Sequence, residues 1–168
     1  FESLLRAEIR DGRLCVSGER YRVLVLPSMK AIRHAALEKA VAFQKAGGCV
    51  IVVGDAPEVS DRKGRDDPEV VQLSARLTVR VADAKDVPGI VEKYAGRDYT
   101  GGGMINHRRI GNRDVYLVYG AEKGSKAIFR ASGRAELWNP WNGTADPLPV
   151  NSSKDGFTEL LLPLGPKE

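Results

Sequence analysis

The chain has 168 residues, 42% of them hydrophobic, and 26 basic against 22 acidic side chains leave a net charge of +4. That is enough apolar material for one ordinary core or for two small ones sharing a boundary. The basic residues are scattered rather than gathered in a stripe, so no nucleic-acid partner is expected. No apolar run is long enough to span a bilayer, so no membrane partner is expected either.

Phe1 to Ile9 places Leu4, Leu5, Ala7 and Ile9 among charged residues, as at the end of a helix leading into Asp11-Gly12. Phe1 is not an initiator methionine, and the expectation is that the chain begins inside a longer one. Leu14 to Val16 reads as a brief strand turning back through Ser17-Gly18-Glu19-Arg20 beside Tyr21 to Leu26. The run from Tyr21 to Gly54 organises the rest. Tyr21 to Leu26, closed by Pro27, and Cys49 to Val53, closed by Gly54, have the length and punctuation of buried parallel strands. Between them Ile32, Ala36, Ala40 and Phe43, with Leu37 and Val41 beside them, recur at helical spacing, and Gly47-Gly48 stops the helix. The three pieces make a βαβ unit. Cys15 and Cys49 match no metal-ligand spacing and read as free thiols.

Asp55 to Asp67 is a charged loop at the carboxyl end of a parallel strand, where open α/β sheets place ligands, although most such loops are solvated connections. Asp67-Pro68-Glu69 predicts an N-cap, a first-turn proline and a first-turn acid for a helix through Leu77. Leu77 to Val81 reads as a strand, and Asp86-Val87-Pro88 opens a short helix through Tyr94, ended by Gly96. From Thr100 onward the pattern is strand and turn only. The runs are Met104 to Ile110, Asp114 to Tyr119, Ala127 to Ala131, Ala135 to Trp138, Leu148 to Val150 and Phe157 to Leu162. Gly111-Asn112-Arg113 joins the first pair as a hairpin, and Asn142-Gly143 marks a later turn.

The expected fold is therefore α/β followed by all-β. A partial flavodoxin- or class I amidotransferase-like parallel sheet with helices fills residues 1–99, and an antiparallel β-sandwich segment fills 104–168. Both pieces look incomplete. The first shows sheet edges that normally need cover, and the second, ending at Pro163-Leu164-Gly165-Pro166, looks short of its last strand.

Catalytic signatures are scarce. His34 and His107 are the only histidines, too few for a histidine-rich metal site, and no HExxH, GxGxxG or GxSxG motif is present. Thr100 to Gly103 lacks the lysine and helix of a phosphate loop and reads as an interdomain hinge. No catalytic residue, metal or other cofactor is assigned. The ligand-binding candidates are His107 and Arg108, in a strand before a tight turn, and Trp138, Trp141 and Asn142 around a second turn. Aromatic faces flanked by amides and arginines suit sugar rings. The competing reading makes the tryptophans core and the arginines a solvated strand face.

YRVLVLPSMKAIRHAALEKAVAFQKAGG, GRDDPE, HRRIGNRDVYLVYG and FRASGRAELWNPWNG, in that order, resemble the large bacterial α-L-rhamnosidase-like glycoside hydrolases. In that family a catalytic (β/α)₈ barrel is accompanied by a glutamine-amidotransferase-like α/β domain, similar to the trimerisation domain of some β-galactosidases, and by β-sandwich modules. The resemblance implies that this chain covers part of the α/β domain and the start of a sandwich, with the catalytic acids and a calcium site elsewhere. ELWNPWNG resembles the family's sandwich motif, with Asn139 where an aspartate is usual. A noncatalytic accessory segment is the implied role, with the barrel of its own polypeptide as partner, a glycan and a homo-oligomer as further candidates, and a periplasmic or secreted location. The alternative is a freestanding carbohydrate-binding module using Trp138 and Trp141.

Overall fold

A computed structural model describes residues 1–163, which form two compact units, Phe1–Gly96 and a second beginning at Arg97. The expectation about the end of the sandwich at Pro163 to Pro166 falls largely outside the described residues.

In the first unit α1 (Glu2–Arg6) leads into a meander of β1 (Glu8–Arg10), β2 (Arg13–Val16) and β3 (Glu19–Tyr21). The sequence reading missed β1, because three residues of alternating charge carry almost no period. Tyr21 to Leu26 is also not one strand. Glu19–Tyr21 stays with the meander, and β4 (Val23–Leu26) begins a parallel sheet.

That sheet has the order β4, β6 (Cys49–Val53), β8 (Val79–Val81), all parallel. The central strand is buried from Cys49 to Val52, as its unbroken apolar run requires, whereas β4 lies at an edge and leaves Val25 partly exposed. Burial pushes the Cys49 thiol pKa up.

Ile32, expected on the helical stripe, lies instead in β5 (Ala31–Ile32), which pairs in parallel with β7 (Val59–Ser60). The helix α2 (His34–Lys45) starts two residues later and buries Ala36, Leu37, Ala40 and Phe43 completely. Burying Leu37 and Phe43 contributes about 1.5–3 kcal/mol each. Its end is a paired cap. Gly48 N donates to Phe43 O and Gly47 N to Gln44 O, both at 3.0 Å, with Gly47 at φ +96°.

Asp67 caps α3 (Pro68–Ala75) by accepting from Glu69 N, as its sequence predicts. The helix after it, α4 (Val87–Ala95), ends at Gly96, whose φ of +74° suits glycine.

Among the described residues of the second unit the regular elements are all strands. A four-stranded antiparallel sheet has the order β15 (Ser152–Lys154), β16 (Phe157–Leu161), β12 (Lys126–Phe129), β9 (Tyr99–Thr100). Two hairpins complete the unit, β10 (Met104–Ile110) with β11 (Arg113–Tyr119), and β13 (Ala135–Asn139) with β14 (Thr144–Leu148). The strand expected at Leu148 to Val150 is displaced to Thr144–Leu148, because the Asn142-Gly143 turn closes the hairpin at once. Ala121, Ala127, Phe129, Leu160 and Leu162 form the core, with Tyr99, Tyr116 and Val118 packed on it. In the stretch read as a hinge, Thr100 closes β9 and Gly101 to Gly103 form a bend, where Tyr99 Oη donates to Gly102 O at 2.7 Å and a Cβ on Gly103 would lie 2.5 Å from Tyr119 O. The architecture is thus α/β followed by mostly β.

Candidate functional site

The charged loop after β6 is solvated from Asp61 to Asp66, as its composition suggests, but it is pinned at buried Ser60 and Asp67. Asp67 is 1% exposed, and its carboxylate accepts from Ser60 Oγ. Asp61 Oδ1 accepts from His34 N at 2.9 Å, so an acid 27 residues away caps α2, whose own N-cap residue Arg33 makes no side-chain cap. Glu69 meets Lys63 Nζ at 2.9 Å, Arg62 Nη1 at 3.2 Å and the buried His34 Nε2 at 3.1 Å.

The electrostatic result is uniform. The Ser60 hydroxyl holds the Asp67 pKa below the usual carboxylate value, helped by the Glu69 amide and Lys63. Lys63, then Arg62, hold Glu69 below it as well. Both acids are kept ionised, which suits a cap and an ion pair rather than a proton donor. The strands run in consecutive order, so the sheet has no reversal of strand order to open a ligand crevice. A shallow polar hollow of about 430 Å³ beside Lys30, Asp55, Glu58, Ser74 and Arg80 is what this edge offers.

In the second unit the five candidates do not converge. Register pairs His107 with Tyr116 and Arg108 with Val115, so these neighbours face opposite sides of the β10–β11 ribbon. The His107 ring turns toward the core, stacked on Tyr116 with centroids 4.1 Å apart and planes 6° apart. Its nitrogens lie 3.0 Å from Asp114 Oδ1 and 3.5 Å from Asp98 Oδ2, so it ties the ribbon to the unit. Burial, with Asp98 and Asp114 nearby, pushes the Tyr116 pKa up to about 12, and its hydroxyl donates to Arg130 O at 3.0 Å. Asp98, Asp114 and Tyr116 were missed in the sequence. The hairpin turn, once its register is taken seriously, would have placed Asp114 and Tyr116 on the His107 face.

Arg108 faces out. Trp138 is half exposed, with the Arg113 guanidinium 5.5 Å from its ring centroid and its indole N–H donated to Glu136 at 3.0 Å. Trp141 is 94% exposed. Asn142 Oδ1 accepts from Thr144 N and Thr144 Oγ1 at 3.0 and 2.9 Å, and Asn139 Oδ1 accepts from Trp141 N, so both amide oxygens build the turn. Of the five, Trp141 presents the most open aromatic surface, and Arg108 a free-facing cation. Among the described residues no group of three or more His, Cys, Asp or Glu could hold a metal ion, and no helix is long and apolar enough to cross a membrane.

Fold and site together define an α/β unit followed by a β unit, with its central carboxylates engaged as caps and ion pairs and its aromatic and cationic chemistry on the outside. The alpha-L-rhamnosidase family model, glycoside hydrolase family 106, matches residues 3–152, and the chain belongs to that family. No curated protein matches the chain, and no solved structure matches it.

Proposed function

We propose that this chain is a noncatalytic accessory segment of an α-L-rhamnosidase-like glycoside hydrolase, with a bracing or assembly role. The observation that carries this reading is the state of two carboxylates, the buried one of Asp67 and the partly exposed one of Glu69 in the first turn of α3. Asp67 and Glu69 are held below the usual range by Ser60, Lys63 and Arg62, whereas a glycosidase's general acid needs its pKa raised. In this reading the first unit is part of a flavodoxin- or amidotransferase-like layer, and the second is a sandwich segment. The partner is the catalytic barrel of the same polypeptide, working in the periplasm or outside the cell, with contacts between copies as a further assembly role.

The test uses the parent enzyme carrying Asp67→Asn or Glu69→Gln, assayed on a rhamnoside and by urea denaturation. The expected result is a lower denaturation midpoint with kcat per folded molecule changed by less than about twofold. A loss of about 100-fold or more in kcat with the fold intact overturns the reading.

A second reading, glycan binding, is favoured by the 94% exposure of Trp141. Trp141→Ala abolishing oligosaccharide binding in calorimetry would support it. Unchanged binding, or none in the wild type, removes it.

A further inference from the structure

The outer face of the β10–β11 ribbon carries side chains that water does not suit. Register puts Met104 opposite Tyr119 and Ile110 opposite Arg113, with Leu117 and Arg108 between them, all on one face. Met104 is 68% exposed, Ile110 65%, Leu117 70% and Tyr119 52%. The opposite face already supplies Tyr116 and Val118 to the core. Both faces are therefore built for contact, on a ribbon that has no third strand. A two-stranded ribbon is marginal by itself, and large apolar side chains gathered on one exposed face mark an interaction surface.

The charges narrow the occupant. Arg108 and Arg113 are the only charged residues on this face, and both are cationic. A second copy laid face to face would set guanidinium against guanidinium, with no counter-charge on the face. A glycan fits poorly on the ribbon itself, since Tyr119 is its single outward aromatic, the Trp138 ring under Arg113 belonging to the β13–β14 hairpin, and Met104, Ile110 and Leu117 offer no planar surface for stacking. An apolar protein surface carrying carboxylates satisfies both features, because a guanidinium pairs with a carboxylate through two parallel hydrogen bonds.

We propose that the outer face of the β10–β11 ribbon docks an apolar, carboxylate-bearing protein surface of the parent glycoside hydrolase, with Arg108 and Arg113 meeting its acids. This rests on the accessory-segment reading above and names the face through which that segment braces its enzyme.

The test uses the full-length parent. Hydroxyl-radical oxidation of the wild type should leave Met104 and Tyr119 protected, and Arg108→Glu with Arg113→Glu should raise the Met104 oxidation rate by about tenfold or more. In Arg108→Lys, a carbodiimide should join the new amine to an Asp or Glu of the parent outside residues 1–168. Met104 oxidised in the wild type as fast as in the unfolded enzyme overturns the proposal without needing any variant. So does a cross-link between two copies, a cross-link to residues 1–96, or protection that appears only when oligosaccharide is added. The accessory reading stands or falls separately, on the kcat of the Asp67 and Glu69 variants.

Discussion

Gly48→Ala should destabilise the first unit through a single contact. A Cβ built on Gly48 lies 2.0 Å from Phe43 Cε2, 2.2 Å from Cζ and 2.4 Å from Cδ2, where ordinary contact begins at 3.4 Å. The ring edge would have to withdraw by 3.4 − 2.0 = 1.4 Å. It has no room to do so, because Phe43 is fully buried in the cluster that holds Leu37, Ala40, Val50 and Leu77. Gly48 itself is not at a positive φ, so alanine meets no backbone strain there. Removing glycine's freedom in the unfolded chain gains about 0.4–1 kcal/mol, and overpacking costs about 1–3 kcal/mol. The net effect is a loss. Phe43→Ala alone should cost about 3–5 kcal/mol, but in that background Gly48→Ala loses its clash and should be neutral or slightly stabilising. Urea denaturation of the wild type and the three variants, followed by far-UV circular dichroism, measures the cycle. A coupling of about 1–3 kcal/mol is expected. Additive single effects, or a Gly48→Ala variant as stable as the wild type, would refute the packing argument.

Three further outcomes follow from the electrostatics and the exposures. The Asp67 and Glu69 pKa values are depressed in the folded state, so their stabilisation is present above the unfolded values and is lost as pH falls through the lower folded ones. Acid titration of the denaturation midpoint should show a limb below about pH 4 that Glu69→Gln flattens, and an unchanged limb would contradict the Lys63 and Arg62 pairing. Tyr116 works in the opposite direction. Its pKa is raised from 10 to about 12, so stability is intact below pH 10 and falls as pH rises toward 12, and Tyr116→Phe should remove that alkaline slope. Trp141→Ala should leave the midpoint within about 0.5 kcal/mol, since the side chain is almost wholly in solvent. A larger loss would mean that the tryptophan is held by a contact of its own.

Several elements could be read from residues alone because their determinants are local. The central strand shows as an unbroken apolar run from Cys49 to Val53. The α2 stripe shows at Ala36, Leu37, Ala40 and Phe43, and the α3 start in Asp67-Pro68-Glu69. The β10–β11 hairpin was legible through Gly111-Asn112. The order of four motifs carried the rhamnosidase resemblance, and the family match spans them.

The site was less legible, since its decisive contacts join residues far apart in the chain. Nothing local shows that Asp61 caps a helix 27 residues earlier, or that Asp67 is buried under Ser60. The pair His107-Arg108 reads as one basic patch along the chain. The pleat sends the histidine to Asp98, Asp114 and Tyr116, and the arginine to the outer face. Composition and period thus determined the longer, strongly patterned strands and helices, because hydrophobic spacing acts within a few residues, whereas short pieces such as β1 and β5 carry too little period to show. Tertiary structure alone decided which charges are engaged and which face outward, because strand register and helix docking bring together groups that sequence distance keeps apart.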